Sequence, residues 1–327
     1  MDNTAITGAG DVQVQALTAS LIGAGGAMVA ATGSGNNVTL GGAFVFNDIG
    51  NVVQASIRNG SRIDASNVAV RAADTARING LDAVIDQHDG AGGASGYDYS
   101  GAGAGNTDTD GASIVAVAGN VQAGGNNVGA SMLFNTIGNR FMAEIDQSTV
   151  TADASVDVVA HSGATIFGYA AGVGVGTGQF SGGGSVVIND IGNTITARIG
   201  GDQATITAGA LHVAASDASH ISAAAGQINA SLGTGAVGAA VSVNEIGNTV
   251  EASVTDAALY IGGANTIRAD NTSRIDTLAA SAGGAPSFAI NGSAATATIA
   301  NTTTAQLVNA TAVAIPSSCP CSPPTAR

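Results

Sequence analysis

The residues best equipped for chemistry lie between positions 82 and 110. Asp82, Asp86 and Asp89 form a carboxylate group with His88 beside them. Cleaving a glycosidic bond requires two carboxyls in complementary roles, so these are the candidate residues for a carbohydrate-active site. Further along, Asn106-Thr107-Asp108-Thr109-Asp110-Gly111 matches the opening of a calcium loop. Alternate oxygen ligands around a glycine turn suit a hard cation, which makes Asn106, Asp108 and Asp110 candidate calcium ligands. The twelfth position of that loop is Val117, which has no carboxylate to close the site. A solvated loop of Asx turns is therefore the preferred reading over bound calcium.

Other candidates are weaker. His161, His212 and His220 have no metal-ligand spacing and read as isolated polar-face histidines. The run Gly172-Val173-Gly174-Val175-Gly176-Thr177-Gly178 is rich enough in glycine for a phosphate loop, but no strand–loop–helix unit surrounds it. The pairs Thr149/Thr151 and Thr205/Thr207 suggest an ice-binding ladder, yet they do not recur in every unit. Acidic residues at one repeated position change freely from Asp48 to Thr136, Asp190 and Glu245, as a tolerant exterior does. No catalytic residue and no cofactor is assigned.

These candidates are carried by a repeat. Asn47-Asp48-Ile49-Gly50-Asn51 returns as Asn135 to Asn139, Asn189 to Asn193 and Asn244 to Asn248, with a worn copy at Ile299-Ala300-Asn301. Asn135 and Asn189 are 54 residues apart, Asn189 and Asn244 are 55, and Asn248 and Asn301 are 53. An array with a fixed period packs each unit on its neighbours and needs no globular core. Residues 1–315 are thus expected to form one repeat domain, of which 1–40 is a partial first unit.

Within a unit the hydrophobic period is two, the mark of half-buried strands. After the second Asn, Ile195, Ala197 and Ile199 share a face while Thr194, Thr196 and Arg198 share the other. Before the first Asn, the larger apolar residues Phe44/Phe46, Met132/Phe134, Val186/Ile188 and Val241/Val243 are expected to face inward, which puts a change of phase and a bend at the Asn. Val68-Val70-Ala72, Val156-Val158-Ala160 and Leu211-Val213-Ala215 read as further strands, and Ile78, Ile166, Ile221 and Ile275 as one aligned series. A unit of about 54 residues is large for one coil, so two coils per unit are expected, giving a rod on the order of 50 Å at ~4.8 Å per coil. Asn47, Asn135, Asn189 and Asn244 then either stack as an amide ladder or simply tolerate a turn.

One interval is longer. Asn47 to Asn135 spans 88 residues, which places an insertion at about 82–115. Long loops on a solenoid project from a lateral face and usually carry function. The ending, residues 316–327, is rich in Pro and carries Cys319 and Cys321, the chain's two cysteines; it reads as a disordered tail.

Composition closes off several classes. The net charge of −14, with nine basic residues that are all Arg, argues against nucleic acid and against an anionic membrane. No run reaches the ~18 apolar residues of a membrane helix. The first residues, Met1-Asp2-Asn3-Thr4, have no signal-peptide character, so export would make this chain part of a longer protein.

The unit, with its hydrophobic-Asn-x-Ile-Gly-Asn opening, Thr/Ala strand, Val-x-Val-x-Ala strand and Gly-Ala spacer, resembles repeats of large bacterial exoproteins. These are the leukotoxin and filamentous-adhesin-like passengers of autotransporter and two-partner secretion systems. The resemblance covers most of residues 36–315. It implies an all-β, right-handed parallel β-helix, a secreted or cell-surface location, and adhesion to a host or neighbouring cell through a glycan or protein ligand. A polysaccharide-active β-helix enzyme, either a lyase or a glycoside hydrolase, is the alternative.

Overall fold

The computed structural model describes residues 1–33, 37–74, 112–202 and 204–314. No helix occurs among them, and every strand-to-strand pairing is parallel. The first unit runs β1 (Ala5–Thr18), β2 (Leu21–Ala31), β3 (Val38–Ile49) and β4 (Val52–Ile57). The second follows as β5 (Arg62–Asp74), β6 (Ser113–Gly124), β7 (Asn126–Ile137) and β8 (Arg140–Asp146), and the third as β9 (Thr149–Ser162), β10 (Thr165–Gly176), β11 (Phe180–Ile191) and β12 (Thr194–Gly200). In the fourth, β13 (Ala204–Ser231) joins the first two strands into one, before β14 (Gly235–Ile246) and β15 (Thr249–Thr255). The fifth comprises β16 (Ala257–Ile261), β17 (Asn265–Gly284), β18 (Phe288–Ile299) and β19 (Thr302–Val308); β20 (Thr311–Ala314) begins another.

Equivalent strands of successive units lie side by side. Asn189 pairs with Asn135 on one flank and with Asn244 on the other; Ile195 pairs with Phe141 and Val250. One unit is therefore one layer. This corrects the expectation of two coils per unit, because the strands are longer than hydropathy indicated: Gly- and Ala-rich stretches without clear alternation are strand throughout. Five layers at ~4.8 Å give a stack about 24 Å high, half the expected rod.

The three sheets have distinct roles. A long ten-stranded sheet contains β1, β2, β5, β6, β9, β10, β13, β16, β17 and β20. A five-stranded sheet of β3, β7, β11, β14 and β18 packs over the second half of each long-sheet layer, closing a core of Ile114, Ile166, Ile221, Leu133, Ile137 and Val187. Another of β4, β8, β12, β15 and β19 packs over the first half around Phe141, Ile145, Val158, Ile195, Val213 and Val254.

The alternation after the second Asn is as expected, with Ile195, Ala197 and Ile199 fully buried. The expected inward set before the first Asn is reversed. Phe44 and Phe46 are 58% and 69% exposed, and Met132, Phe134, Val186, Ile188, Val241 and Val243 share their outer face. Val45, Leu133, Val187 and Ser242 point inward instead. Inward positions then run 43, 45, 47, 49 and on to 53, 55, 57 without a change of phase. The outward residues are the bulkier ones because the interior is too narrow there for aromatic rings.

The aligned isoleucine series is also corrected at its first member. Ile166 pairs with Ile114 on one side and Ile221 on the other, and Ile221 with Ile275; Ile78 lies outside the described residues. Residues 113–115, placed in the insertion from sequence, belong to β6. The additional residues thus fall between Asp74 and Ala112.

Candidate functional site

The repeated asparagines occupy the interior. Asn47 Nδ2 donates to Asn135 Oδ1, Asn135 Nδ2 to Asn189 Oδ1, and Asn189 Nδ2 to Asn244 Oδ1, each at 2.7 Å. This is an amide ladder, the first of the two sequence alternatives. It ends where Ala297 takes the next position, and Asn244 Nδ2 there donates to Thr277 Oγ1 at 2.9 Å. Each amide supplies both a donor and an acceptor along the stack axis, so one residue type repeated at this position satisfies itself.

The second Asn of each motif forms another column. The backbone N–H of Asn51, Asn139, Asn193 and Asn248 donates to Oδ1 of Asn139, Asn193, Asn248 and Asn301, respectively, at 2.7–2.9 Å. Except at Asn139, whose Nδ2 is buried without a partner, their Nδ2 atoms cross the interior to the long sheet. Asn51 reaches Ser20 Oγ, Asn193 reaches Ser162 Oγ, Asn248 reaches Asp217 Oδ2 at 2.7 Å, and Asn301 reaches Asn271 Oδ1 at 2.8 Å. This polar seam separates the two hydrophobic cores. Asp217 is almost fully buried, and burial pushes its carboxyl up to about 7 against hydrogen bonds from Ser219, Asn248, Asn193 and Ser162. Asp74, at the equivalent place two layers below, is also pushed up by burial to about 7, while the Ala112 N–H bonded to its Oδ2 at 2.6 Å opposes that rise.

A largely buried polar group lies on the side of the long sheet's first half turned away from the core, where Arg71, Asp157 and Ser216 are each no more than 9% exposed. Register places Arg71, Val159, Ala214 and Arg268 in one column, flanked by Ala69, Asp157, His212 and Thr266 and by Ala73, His161, Ser216 and Asp270. Asp157 is 1% exposed; it accepts from Ser155 Oγ at 2.9 Å and stands 3.9 Å from His212 Nδ1. Burial lowers the His212 pKa; Asp157 counters that, and Arg268 adds to it. His161 Nδ1 shares a hydrogen bond of 2.9 Å with Ser216 Oγ, and Arg268 Nε pairs with Asp270 Oδ2 at 2.5 Å. His220 is elsewhere, with Nε2 3.0 Å from Asp276 Oδ2; hydrogen bonds from Arg274 and then His220 lower the Asp276 pKa.

This group is what sequence reasoning missed. Asp157 and His212 each directly follow an aligned strand residue, Val156 and Leu211. That shared offset was the available signal, but the residue type changes from layer to layer. Thr149/Thr151 do align with Thr205/Thr207, and Arg62/Asp64 and Ala258/Tyr260 replace them in the adjoining layers. The candidate calcium ligands Asn106, Asp108 and Asp110, and the group Asp82, Asp86, His88 and Asp89, lie outside the described residues. Among the described residues, no group of three or more His, Cys, Asp or Glu could hold a metal ion, and no helix is long and apolar enough to cross a membrane.

Comparison with protein-family models, with curated proteins and with solved structures finds no match.

Proposed function

We propose that this chain is a non-enzymatic scaffold, the β-helical part of a secreted or surface-displayed adhesin or passenger that meets a host or neighbouring cell. The sheets on this reading close into a right-handed parallel β-helix, the hand that nearly all parallel crossovers take. The observation that carries the proposal is the use of each motif's polar residues. The Asn pairs that define the repeat are turned inward and consumed in holding one layer to the next, as a stalk requires and a reaction centre does not. The acidic surface suits a soluble, self-repelling exterior.

The segment between Asp74 and Ala112 is the proposed contact element, and it is removable on geometric grounds. Deleting residues 75–110 joins Asp74 to Gly111-Ala112, the length with which Ser162-Gly163-Ala164 links β9 to β10. Cell and glycan binding by the intact and deleted proteins is the test: binding that vanishes with the segment supports its contact role, and equal binding removes it from that role. Failure of the intact protein to bind any cell surface or glycan contradicts the adhesive reading.

A polysaccharide-active enzyme remains the second reading, favoured by one observation, the polar group with Asp157, His212, Arg71 and Arg268. Its carboxylates are already matched, Asp157 to Ser155 and His212 and Asp270 to Arg268. Release of reducing or unsaturated ends from a polysaccharide panel, abolished by Asp157→Asn, would establish that reading in place of the scaffold.

A further inference from the structure

The outer face of the five-stranded sheet β3-β7-β11-β14-β18 is apolar and open. Leu40, Phe46 and Ile290 are each more than 60% exposed, and the Phe46 and Phe134 rings stack at 4.9 Å between neighbouring layers. No outward position of this sheet from the Val38 column to the Phe46 column carries a charge. The acidic residues Asp48, Asp190 and Glu245 begin only in the next outward column, beside the turn into the third sheet. On the adjoining half of the long sheet Val115, Val117, Val121, Val175 and Ile228 are also exposed, and the charged residues Arg274 and Asp276 stand outward only on β17. A protein of net charge −14 thus keeps the outer face of the β3-β7-β11-β14-β18 sheet free of charge from the Val38 column to the Phe46 column. Isolated exposed apolar residues need no explanation, but a continuous face of them does.

We infer that this face is covered by the same face of a second copy of the chain. Three observations select that occupant. First, charge: pairing neutral flanks leaves both acidic flanks pointing away from each other, whereas an anionic lipid surface or an acidic partner would be repelled by the rest of the molecule. Second, area: the columns from Leu40 to Phe46, five strands at ~4.8 Å and seven residues at ~3.3 Å, give a shared face of roughly 550 Å², at the small end of protein interfaces. The Asp48, Asp190 and Glu245 column lies at its rim against the partner's Val38 column. Third, the relief of the face fits itself.

The central outward column is Gly42, Ala130, Gly184, Ala239 and Gly292, and beside it runs Phe44, Met132, Val186, Val241 and Ala294. A two-fold axis parallel to the stack and midway between these columns lays each copy's larger column on the other's smaller one. Val186 then meets Gly184, Val241 meets Ala239 and Met132 meets Ala130, reciprocally, as an isologous contact demands. Phe46 falls opposite Leu40 and Phe134 opposite Val128. At the first strand, the Phe44 ring already leans over Gly42 of its own chain, so closure there requires the ring to turn outward.

The test is the solution mass of the full chain by light scattering and sedimentation at tens of micromolar. A dimer is expected, converted to monomer by Val186→Glu with Val241→Glu, while Val121→Glu with Val175→Glu on the long sheet leaves it dimeric. Because all four positions face outward, unchanged circular dichroism and melting verify that each variant is folded. In a Cys319→Ser/Cys321→Ser background, Gly184→Cys with Val186→Cys should oxidise to a covalent dimer, and this arm holds even where the glutamates unfold the chain. A monomeric wild type, a dimer insensitive to the glutamates, or a monomer that instead co-sediments with phosphatidylcholine vesicles each overturns the inference.

Discussion

The two halves of each layer solve the same packing problem with opposite chemistry. Where β4, β8, β12, β15 and β19 face the long sheet, the inside is aliphatic and the outside polar: Ile195, Ala197 and Ile199 in, Thr194, Thr196 and Arg198 out. In the other half the aliphatic core continues only partway. Toward the turns that join the long sheet to the β3 sheet, the interior passes to Asn120, Gln122, Asn127, Ser131, Gln227 and Asn229, all buried, while Val117, Val121, Val128 and Ile228 stand outside. Glycine makes this possible: a Cβ on Gly172 would meet Gln227 Oε1 at 2.0 Å and Asn120 Nδ2 at 2.9 Å. Inside and outside are therefore set by how much room the narrowing layer leaves, not by hydropathy alone. Asn120, Gln122, Gln227 and Asn229 are tolerated there because they bond to one another, to Ser131 and to backbone carbonyls, as in Gln227 Nε2 to Asn229 Oδ1 at 3.0 Å and Asn229 Nδ2 to Val237 O at 2.9 Å. Both amide atoms of Asn127, by contrast, are buried without a partner.

Substitutions can break this contrast. The largest effect is expected at Leu133→Ala, which empties a fully buried site and should cost about 3 kcal/mol or more in denaturant unfolding; Phe134→Ala, its larger but outward neighbour, should cost less than about 1 kcal/mol. Equal losses would erase the distinction between the faces. Next is Asn189→Ala, which strands Asn135 Nδ2 and Asn244 Oδ1 inside the protein. Two unpaired buried groups predict a loss of about 2–4 kcal/mol, measured by the same unfolding curves.

Asp217 supplies a test of the seam between the halves. Its ordinary value of 3.8 applies in the unfolded chain, and the folded chain holds the proton to about 7. Stability from this group is fully present below pH 4 and is lost as pH rises through 7. Asp217→Asn, which copies Asn271 in the next layer, should remove Asp217's share of that dependence, leaving that of Asp74, and raise stability at pH 8 by a few kcal/mol, on the order of 4 at most. A wild-type pH profile unaltered by the substitution would mean that Asp217 is not the group titrating. The smallest effects concern glycine. Gly172→Ala should cost about 1–2 kcal/mol by overpacking, whereas Gly226→Ala, whose added Cβ meets nothing within 4 Å, should be neutral or slightly stabilising.

How far the sequence could be read follows from the same contrast. In the half with ordinary patterning, the strand faces of Phe141, Ala143 and Ile145 against Arg140, Met142 and Glu144 were legible, and so were the layer spacing and the aligned Val-x-Val-x-Ala strands. In the other half, Phe44, Phe46 and Phe134 are larger than inward Ala43, Val45 and Leu133, and Met132 is far more apolar than inward Ser131. A hydropathy rule therefore assigns them to the wrong face and creates a phase change that does not exist. One layer per unit was hidden for a related reason: long strands of Gly and Ala, such as Thr165–Gly176, give almost no alternation to count. The Asn columns were visible as a repeat, but their inward direction depended on the phase. The polar group around Asp157 and His212 depended on register, because each layer contributes a different residue.

The central claim is that alternate positions, odd-numbered along β11 and β12 and even-numbered along β14 and β15, continue inward across the Asn motif without a change of phase. Thiol labelling of single-cysteine variants along β11 and β12, in the Cys319→Ser/Cys321→Ser background, measures this directly. Val186→Cys, Ile188→Cys and Asp190→Cys should react in the native protein, while Val187→Cys, Ile191→Cys and Ile195→Cys should react only after unfolding. Protection of the 186 and 188 positions with rapid labelling at 187 would contradict the account.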